Sequence, residues 1–131
     1  MADRINEGLS QFIAQLKYED IPVEVTTHLK NILLDSYGCG LFGSTTPWMK
    51  IYKDVLLKMS DRQEASVWGT NVKTSVTSAM MLNGSAINSF ELDDTHTDGI
   101  IHVSTGVLGC ITAFAETLGT VSAKAVMQTR T

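Results

Sequence analysis

Side chains that exchange protons near neutral pH are concentrated in one polar stretch, residues 83–106. The stretch holds three closely spaced carboxylates, those of Glu91, Asp93 and Asp94, followed by the two imidazoles of His96 and His102. Such groups, placed together, are typical of general acid–base chemistry. Apolar sequence with helical spacing lies on both sides of the stretch. The pattern therefore predicts part of a functional site between two packed helices.

Each of these residues also has a structural interpretation. A single histidine in the loop before a helix is often a cap or a satisfied polar group. The same carboxylates and imidazoles could instead bind a divalent cation. His96 and His102 are six positions apart, however, so they do not share a helix face as an i,i+4 pair would. We therefore regard the metal site as the weaker alternative. Thr97 and Asp98 are interpreted as turn residues before Gly99.

Helical periodicity dominates the rest of the chain and predicts the elements that position the site. The predicted helices are Arg4 to Tyr18, one beginning at Pro22, one beginning at Pro47, one capped by Thr74 or Ser75 that continues into Glu91–Asp94, Thr105 to Gly119, and Ala123 to Met127 capped by Ser122. Residues 65–69 are expected to be a short extended segment. The fold class is thus all-α, a helical bundle. Because the sixth helix is short, we expect residues 1–131 to be the leading part of a larger helical domain.

Apolar stripes along these helices predict which side chains are buried. Trp48, Tyr52 and Met59 are expected in the core on the third helix, and Phe114 and Leu118 on the fifth. The small residues Gly38, Cys39 and Gly40 are expected to allow a close approach between helices. Both cysteines, Cys39 and Cys110, are expected to be buried thiols.

Composition argues against several classes of protein. The chain has 131 residues, 44% hydrophobic and 18% charged, which is enough to bury a core. Its net charge is −4 and it has no basic patch, so we expect no nucleic-acid partner. The polar N-terminal residues do not predict a signal sequence. The most apolar window, residues 100–118, contains His102 and Glu116 and therefore predicts a buried helix rather than a membrane span. A cytoplasmic enzyme or enzyme fragment is the expectation.

Four motifs occur in order along residues 8–122. They are Leu-Leu-Asp-x-x-Gly-Cys at 33–39, Trp68-Gly69, Ala79 with Asn83-Gly84, and acid-x-Asp-Asp-Thr at 91–95 followed by His102. With them the chain resembles the N-terminal helical domain of the MmgE/PrpD family of dehydratases, decarboxylases and epimerases. It departs from the family pattern at Val103, where a proline usually follows the histidine, and at Glu91, where aspartate is frequent. The likeness fades after Ser122.

The resemblance implies a lyase or isomerase that transfers a proton next to a carboxylate of a small polycarboxylic acid, without a metal or an organic cofactor. It implies catalytic roles for His102, Glu91 and Thr95, and it places three further side chains on the substrate-binding side, those of Asp93, Asp94 and His96. It also implies a homodimer in full-length members and a second domain beyond this chain.

A polycarboxylate substrate needs cationic groups around it, and residues 83–106 contain no lysine or arginine. Lys73 is the nearest basic residue in sequence, and the family's cationic groups lie later in its sequence. We therefore expect this chain alone to bind substrate weakly or not at all. The alternative function is a non-catalytic truncated helical module that retains the fold and dimerises.

Overall fold

The computed structural model of the protein describes residues 2–119. Its elements, in chain order, are α1 (Ala2–Gln15), α2 (Val23–Gly43), α3 (Pro47–Leu56), β1 (Ala65–Ser66), β2 (Lys73–Thr74), α4 (Val76–Ile87) and α5 (Val103–Thr117). Single 3-10 turns follow α1 and α3, at Tyr18–Asp20 and Leu57–Met59. The all-α prediction is confirmed, since a hairpin of two short strands, of two residues each, is the whole sheet within the described residues. The sixth helix predicted from Ala123 to Met127 lies outside these residues.

Local chemistry accounts for three helix starts. Pro22 immediately precedes α2, and Pro47 is the first residue of α3, where a missing N–H leaves no bond unmade. Ser75 caps α4, because its side chain accepts a hydrogen bond from the backbone N–H of Ser78 at 3.3 Å. A serine oxygen at this position satisfies a donor that the helix itself cannot. These starts agree with the prediction from the sequence.

The α4–α5 seam, which we define as the contact between these two helices, is the most extensive helix pairing in the described chain. A Cβ added at Gly109 would lie 2.7 Å from the backbone nitrogen of Gly84. One added at Gly84 would lie 2.7 Å from the carbonyl oxygen of Thr105. The two backbones are therefore in direct contact. Fully buried apolar side chains, including Ala79, Ile87, Leu108 and Ala113, fill the core beside them.

Helix α2 packs on α4 through small residues as well. A Cβ at Gly43 would collide with the carbonyl oxygen of Ala86, and one at Gly40 would lie 2.8 Å from the Trp68 ring. Cys39 is buried with Ile87. The predicted close approach is confirmed for Gly40 but not for Gly38, which has open space around its Cα.

The β1–β2 hairpin is held against the helices by two side chains. Asn83 on α4 accepts a hydrogen bond from the backbone N–H of Trp68 and donates one to the carbonyl of Ser66, each at 3.0 Å. Glu116 on α5 accepts bonds from the backbone N–H of Ser66 at 3.0 Å and from its hydroxyl at 2.8 Å. Lys73 adds an ion pair with Glu116 at 3.3 Å. The extended segment predicted near residue 65 is therefore the first strand of this hairpin.

The predicted helix boundaries are wrong at both ends of the central loop. Helix α4 ends at Ile87 rather than continuing into Glu91–Asp94, and α5 begins at Val103 rather than Thr105. A turn follows α4, in which the N–H of Ser89 bonds the carbonyl of Ala86 at 3.3 Å. Ending the helix early keeps three carboxylates away from its C-terminus, where they would oppose the macrodipole.

Several predictions of burial are also wrong. Trp48 is 54% exposed and Met59 is 71% exposed, because α3 buries Met49 and Leu56 instead. Tyr52 is half-buried against that cluster. The exposed residues also include Phe114 and Cys110 on α5 and Leu118 immediately after it. Apolar spacing identifies residues that share a face, but not whether another element covers that face.

Helix α1 is amphipathic as predicted, and its apolar residues Ile5, Leu9, Phe12 and Ile13 are all more than half exposed. No helix in the described part of the chain is long and apolar enough to cross a membrane.

Candidate functional site

The loop that joins α4 to α5, residues 88–102, carries every predicted site residue. It closes on itself through a short antiparallel bridge between His96 and Ile101. The N–H of His96 bonds the carbonyl of Ile101 at 2.8 Å, and the return bond measures 3.3 Å. This closure places His102 immediately before α5, close to the carboxylates that follow α4.

The imidazole of His102 lies between two carboxylates. Its Nδ1 is 3.2 Å from Oδ2 of Asp93, and its Nε2 is 3.8 Å from Oε2 of Glu91. The hydroxyl oxygen of Thr95 lies 3.5 Å from the same Nδ1. Three predicted residues thus surround one ring. Their chemical roles stay predictions.

The two carboxylates have opposite environments. The Asp93 side chain is fully buried, whereas that of Glu91 is 73% exposed and that of His102 is 33% exposed. Nδ1 therefore faces the protein interior and Nε2 faces a carboxylate in solvent. The cluster thus lies at the surface of the described residues, with Glu91 on its exposed side.

Asp93 is surrounded by donors. Its Oδ1 accepts a hydrogen bond from the side-chain amide of Asn88 at 3.0 Å, and its Oδ2 accepts one from the hydroxyl of Thr105 at 2.8 Å. A buried carboxylate is tolerated only when its oxygens are satisfied in this way. Neither Asn88 nor Thr105 is among the site residues predicted from the sequence. Nothing in the sequence pattern marks these two positions, because their bonds with Asp93 form only when the ends of α4 and α5 come together in the fold.

Asp94 and His96 make contacts that hold the backbone of the loop. Asp94 accepts a hydrogen bond from the N–H of Ser104 at 3.2 Å, in the first turn of α5. A carboxylate at this position complements the helix dipole. Nδ1 of His96 accepts a bond from the N–H of Gly99 at 2.9 Å. The substrate-binding roles predicted for Asp94 and His96, and for Asp93, stay predictions.

Backbone strain is concentrated in the same loop. Among residues 2–119, the non-glycine residues with positive φ are Glu91, at 59°, and Ile100, at 50°. A left-handed backbone costs such a residue about 1–2 kcal/mol. Strained residues of this kind cluster at functional sites, where the surrounding contacts maintain them.

The negative charge of the loop reaches the neighbouring helix α2. Burial raises the pKa of the Cys39 thiol above its ordinary value, and the carboxylates of Asp35, Asp93 and Asp94 raise it further. A buried thiol with a raised pKa forms little thiolate, so nucleophilic chemistry at Cys39 is disfavoured.

The nearest basic residue in sequence is engaged away from the loop. Lys73 pairs with Glu116 at the hairpin. Within residues 2–119, no set of three or more histidine, cysteine or acidic side chains is arranged to hold a metal ion. Two crevices, one beside Trp68 and one at His28, contain none of the predicted site residues.

Comparison with known proteins places these observations in a family. The family model of the MmgE/PrpD N-terminal domain matches residues 7–129. A cis-aconitate decarboxylase-like protein, oryM, from Aspergillus oryzae is 34% identical over 112 residues, which cover 86% of this chain and 23% of that protein. The cis-aconitate decarboxylase of Homo sapiens is 33% identical over 119 residues, covering 90% and 24%. That of Aspergillus terreus is 27% identical over 114 residues, covering 87% and 23%. The chain thus spans about a quarter of the length of these relatives.

Proposed function

The chain belongs to the MmgE/PrpD family, and we propose from this that it supplies the proton-transfer loop of a lyase that decarboxylates a small polycarboxylic acid. One observation carries the proposal: the His102 imidazole lies between the buried Asp93 and the exposed Glu91. The names of the relatives support decarboxylation, and a cis-aconitate-like tricarboxylic acid as the substrate. Dehydration and epimerisation, which also move a proton next to a carboxylate, are the alternatives within the family.

In the proposed reaction, the bond between a substrate carbon and its carboxylate breaks and CO2 leaves. The electron pair stays on the carbon, and the protonated His102 donates a proton to it from Nε2. The imidazole is then neutral and regains a proton from water. General acid catalysis of this kind contributes about 100-fold to 10,000-fold in rate. The proposal uses no metal and no organic cofactor.

Glu91 and Thr95 have supporting roles in this proposal. The Glu91 carboxylate lies 3.8 Å from Nε2, and its charge stabilises the protonated ring before the transfer. The Thr95 hydroxyl is exposed, and its proton, which bonds the Asp93 carbonyl at 3.4 Å, would turn to a substrate carboxylate on binding. Asp94 and His96 lie on the proposed substrate-binding side and hold the backbone of the loop.

A second candidate function rests on the charge of the site. The loop is acidic and residues 83–106 contain no lysine or arginine. A polycarboxylate would therefore be repelled unless cations were supplied from elsewhere. The second candidate is a non-catalytic helical module that keeps the family fold. A homodimeric assembly, implied by the family resemblance, and a cytoplasmic location, expected from the sequence, complete either proposal.

The proposal is tested by measuring CO2 release from cis-aconitate. Because the chain lacks cationic groups at its loop, residues 7–119 are also inserted in place of the matching segment of the Aspergillus terreus decarboxylase. We expect the chimera to release CO2 and to incorporate one deuterium at carbon in D2O. His102→Ala should lower the rate about 100-fold or more, since it removes the proton donor.

His28→Ala is the matched control, because it removes an exposed imidazole from α2 and should leave the rate unchanged. A chimera that folds, as judged by circular dichroism, but releases no CO2 would support the non-catalytic module. An active chimera in which His102→Ala has no effect would contradict the role proposed for this residue.

A further inference from the structure

We propose that Asp93 is a positioning residue that keeps the proton of the neutral His102 ring on Nδ1 and thereby leaves Nε2 available for proton transfer. The proposal rests on the proton-transfer function of His102 and specifies how the fold prepares that ring. It also adds Asn88 and Thr105 to the site, as the groups that hold Asp93.

Asp93 lies in a buried environment that supplies hydrogen-bond donors. Its side chain is fully buried, and its two oxygens receive bonds from Asn88 at 3.0 Å and from Thr105 at 2.8 Å. Both donors stabilise the ionised carboxylate. The remaining neighbour of Oδ2 is Nδ1 of His102, at 3.2 Å. A buried charge without a further donor is costly, so the arrangement favours an N–H at this position.

The buried carboxylate of Asp93 determines the tautomer of the neutral His102 ring. A neutral imidazole carries one N–H, and the group that it faces decides which nitrogen holds it. An ionised carboxylate can only accept, so Asp93 selects the Nδ1–H form. Nε2 is then an unprotonated acceptor on the exposed side of the ring, 3.8 Å from Glu91. It takes up a proton to become the donor of the proposed reaction.

Asp93 is held by residues at the ends of two packed helices. Asn88 caps the C-terminus of α4 as the first residue of the loop, and Thr105 lies in the first turn of α5. Asp93 is therefore bonded to residues at the facing ends of the two helices of the α4–α5 seam. The ring of His102 consequently takes its orientation from the packed helices, although the residue itself lies in an exposed loop.

The test is a direct observation of the tautomer by nuclear magnetic resonance. The 131-residue chain is labelled with 15N at its three histidines. Long-range 1H–15N correlations are recorded at about pH 8.5, where imidazoles are neutral. We expect His102 to be in the Nδ1–H form. The ordinary Nε2–H form in the folded wild-type chain would overturn the proposal.

The principal variant is Asp93→Asn, whose amide can donate to Nδ1. We expect the ratio of the two tautomers to shift toward Nε2–H by about tenfold or more. The reason is that the lost hydrogen bond to a charged group is worth more free energy than a tenfold change in this ratio requires. Asp98→Asn, which removes an exposed carboxylate from the same loop, should leave the ratio unchanged. His28 on α2 serves as an internal reference. An unchanged ratio in folded Asp93→Asn would contradict the proposal.

Two further variants keep the test decisive if Asp93→Asn does not fold. Asn88→Ala and Thr105→Val each remove one donor to Asp93, and both should broaden or shift the His102 signals, while Thr105→Ser should restore the wild-type spectrum. A spectrum of Thr105→Val identical to wild type would count against the network.

The tautomer and the CO2 assay report on different claims. An Nδ1–H tautomer in a chain and chimera that release no CO2 would leave the positioning network intact and refute the proposed activity. CO2 release that depends on His102, together with an Nε2–H tautomer, would support the proposed activity and refute the positioning role of Asp93.

Discussion

The α4–α5 seam and the loop that joins these two helices are adjacent in the chain but differ in burial, polarity and backbone strain. In the seam, backbones touch through Gly84 and Gly109, and the neighbouring side chains are apolar and buried. In the loop, residues 88–102, nearly every side chain is polar or exposed, and two non-glycine residues have positive φ. The comparison teaches that the seam fixes the distance between two helix ends, and that this distance allows the strained loop to hold Glu91, Asp93 and His102 close together.

Asp93 is where the two regions meet. It is the buried residue of the loop, and its partners come from the end of α4 and the start of α5. Substitutions in the seam should therefore change stability, whereas those on the exposed side of the loop should change chemistry. This division can be tested by substitutions, taken in order of decreasing expected effect on stability.

The largest effect is expected for Gly109→Ala. The added Cβ would lie 2.7 Å and 2.9 Å from backbone atoms of Gly84, so the helices must separate. We expect a loss of about 2–3 kcal/mol in the free energy of unfolding, measured by urea denaturation. Gly106→Ala is the matched control on the same helix, because open space surrounds Gly106. It should be neutral or stabilise by up to about 1 kcal/mol. Equal effects of both substitutions would show that the seam is not tight.

A smaller loss of stability is expected for Asn83→Ala. Asn83 is 1% exposed and makes one bond to the N–H of Trp68 and one to the carbonyl of Ser66. Its removal leaves two backbone groups without these partners, which should cost about 2 kcal/mol. Thermal unfolding followed by circular dichroism measures the effect.

Thr77→Ala is the control for this substitution, because Thr77 lies on the exposed side of α4. Its free energy of unfolding should be within about 0.5 kcal/mol of wild type. Similar losses for the two variants would contradict the bridging role of Asn83.

The pH dependence of stability should reveal the bonds made by Glu116 at the far end of α5. Partial burial acts to raise the pKa of this carboxyl, but hydrogen bonds from Ser66 and Lys73 outweigh it and lower the pKa below its ordinary value. A carboxyl with a lowered folded pKa stabilises the fold above its unfolded pKa, and this contribution is lost as the pH falls through the folded value.

We therefore expect Glu116→Gln to be less stable than wild type at pH 7, with a difference that shrinks below about pH 4. Melting temperatures at pH 7 and at about pH 3.5 would measure it. A difference that grows on acidification would have the wrong sign. Glu91→Gln serves as the comparison, since it removes a carboxylate from the loop instead.

The smallest effect on stability is expected for Glu91→Gln itself. The side chain is 73% exposed and its ion pair spans 3.8 Å. The free energy of unfolding should therefore stay within about 0.5 kcal/mol of wild type. CO2 release by the chimera should nevertheless fall, because the protonated His102 loses a neighbouring charge. A large loss of stability without a loss of activity would reverse the division between seam and loop.

Those parts of the fold that depend on local chemistry could be predicted from the sequence. Pro22, Pro47 and Ser75 mark helix starts because a missing N–H or a side-chain cap acts within one turn. The end of α4 was not predicted, because apolar spacing continues to Phe90, and only the turn geometry shows that the helix stops at Ile87. The exposure of Trp48 was not predictable either, since it depends on which elements lie nearby.

The candidate site was predictable to a similar extent. Residue types indicated the stretch that holds Glu91, Asp93 and His102, and the family resemblance implied the catalytic role of His102. The contacts of Asn88 and Thr105 with Asp93 were not predictable, because they form only when two helix ends separated by the loop come together. The order of polar residues along the chain does not predict these contacts.

The contact between Gly84 and Gly109 sets the register of the two helices. A slide of α5 by a single residue would move it about 1.5 Å along its axis and rotate it by about 100°, which would bring a side chain to the crossing point. His102 lies seven positions before Gly109, or roughly 10 Å along the helix axis. The position of the His102 imidazole thus depends on a backbone crossing about two turns away. A substitution at that crossing would move the imidazole relative to Asp93 and Glu91 without changing any of the three side chains.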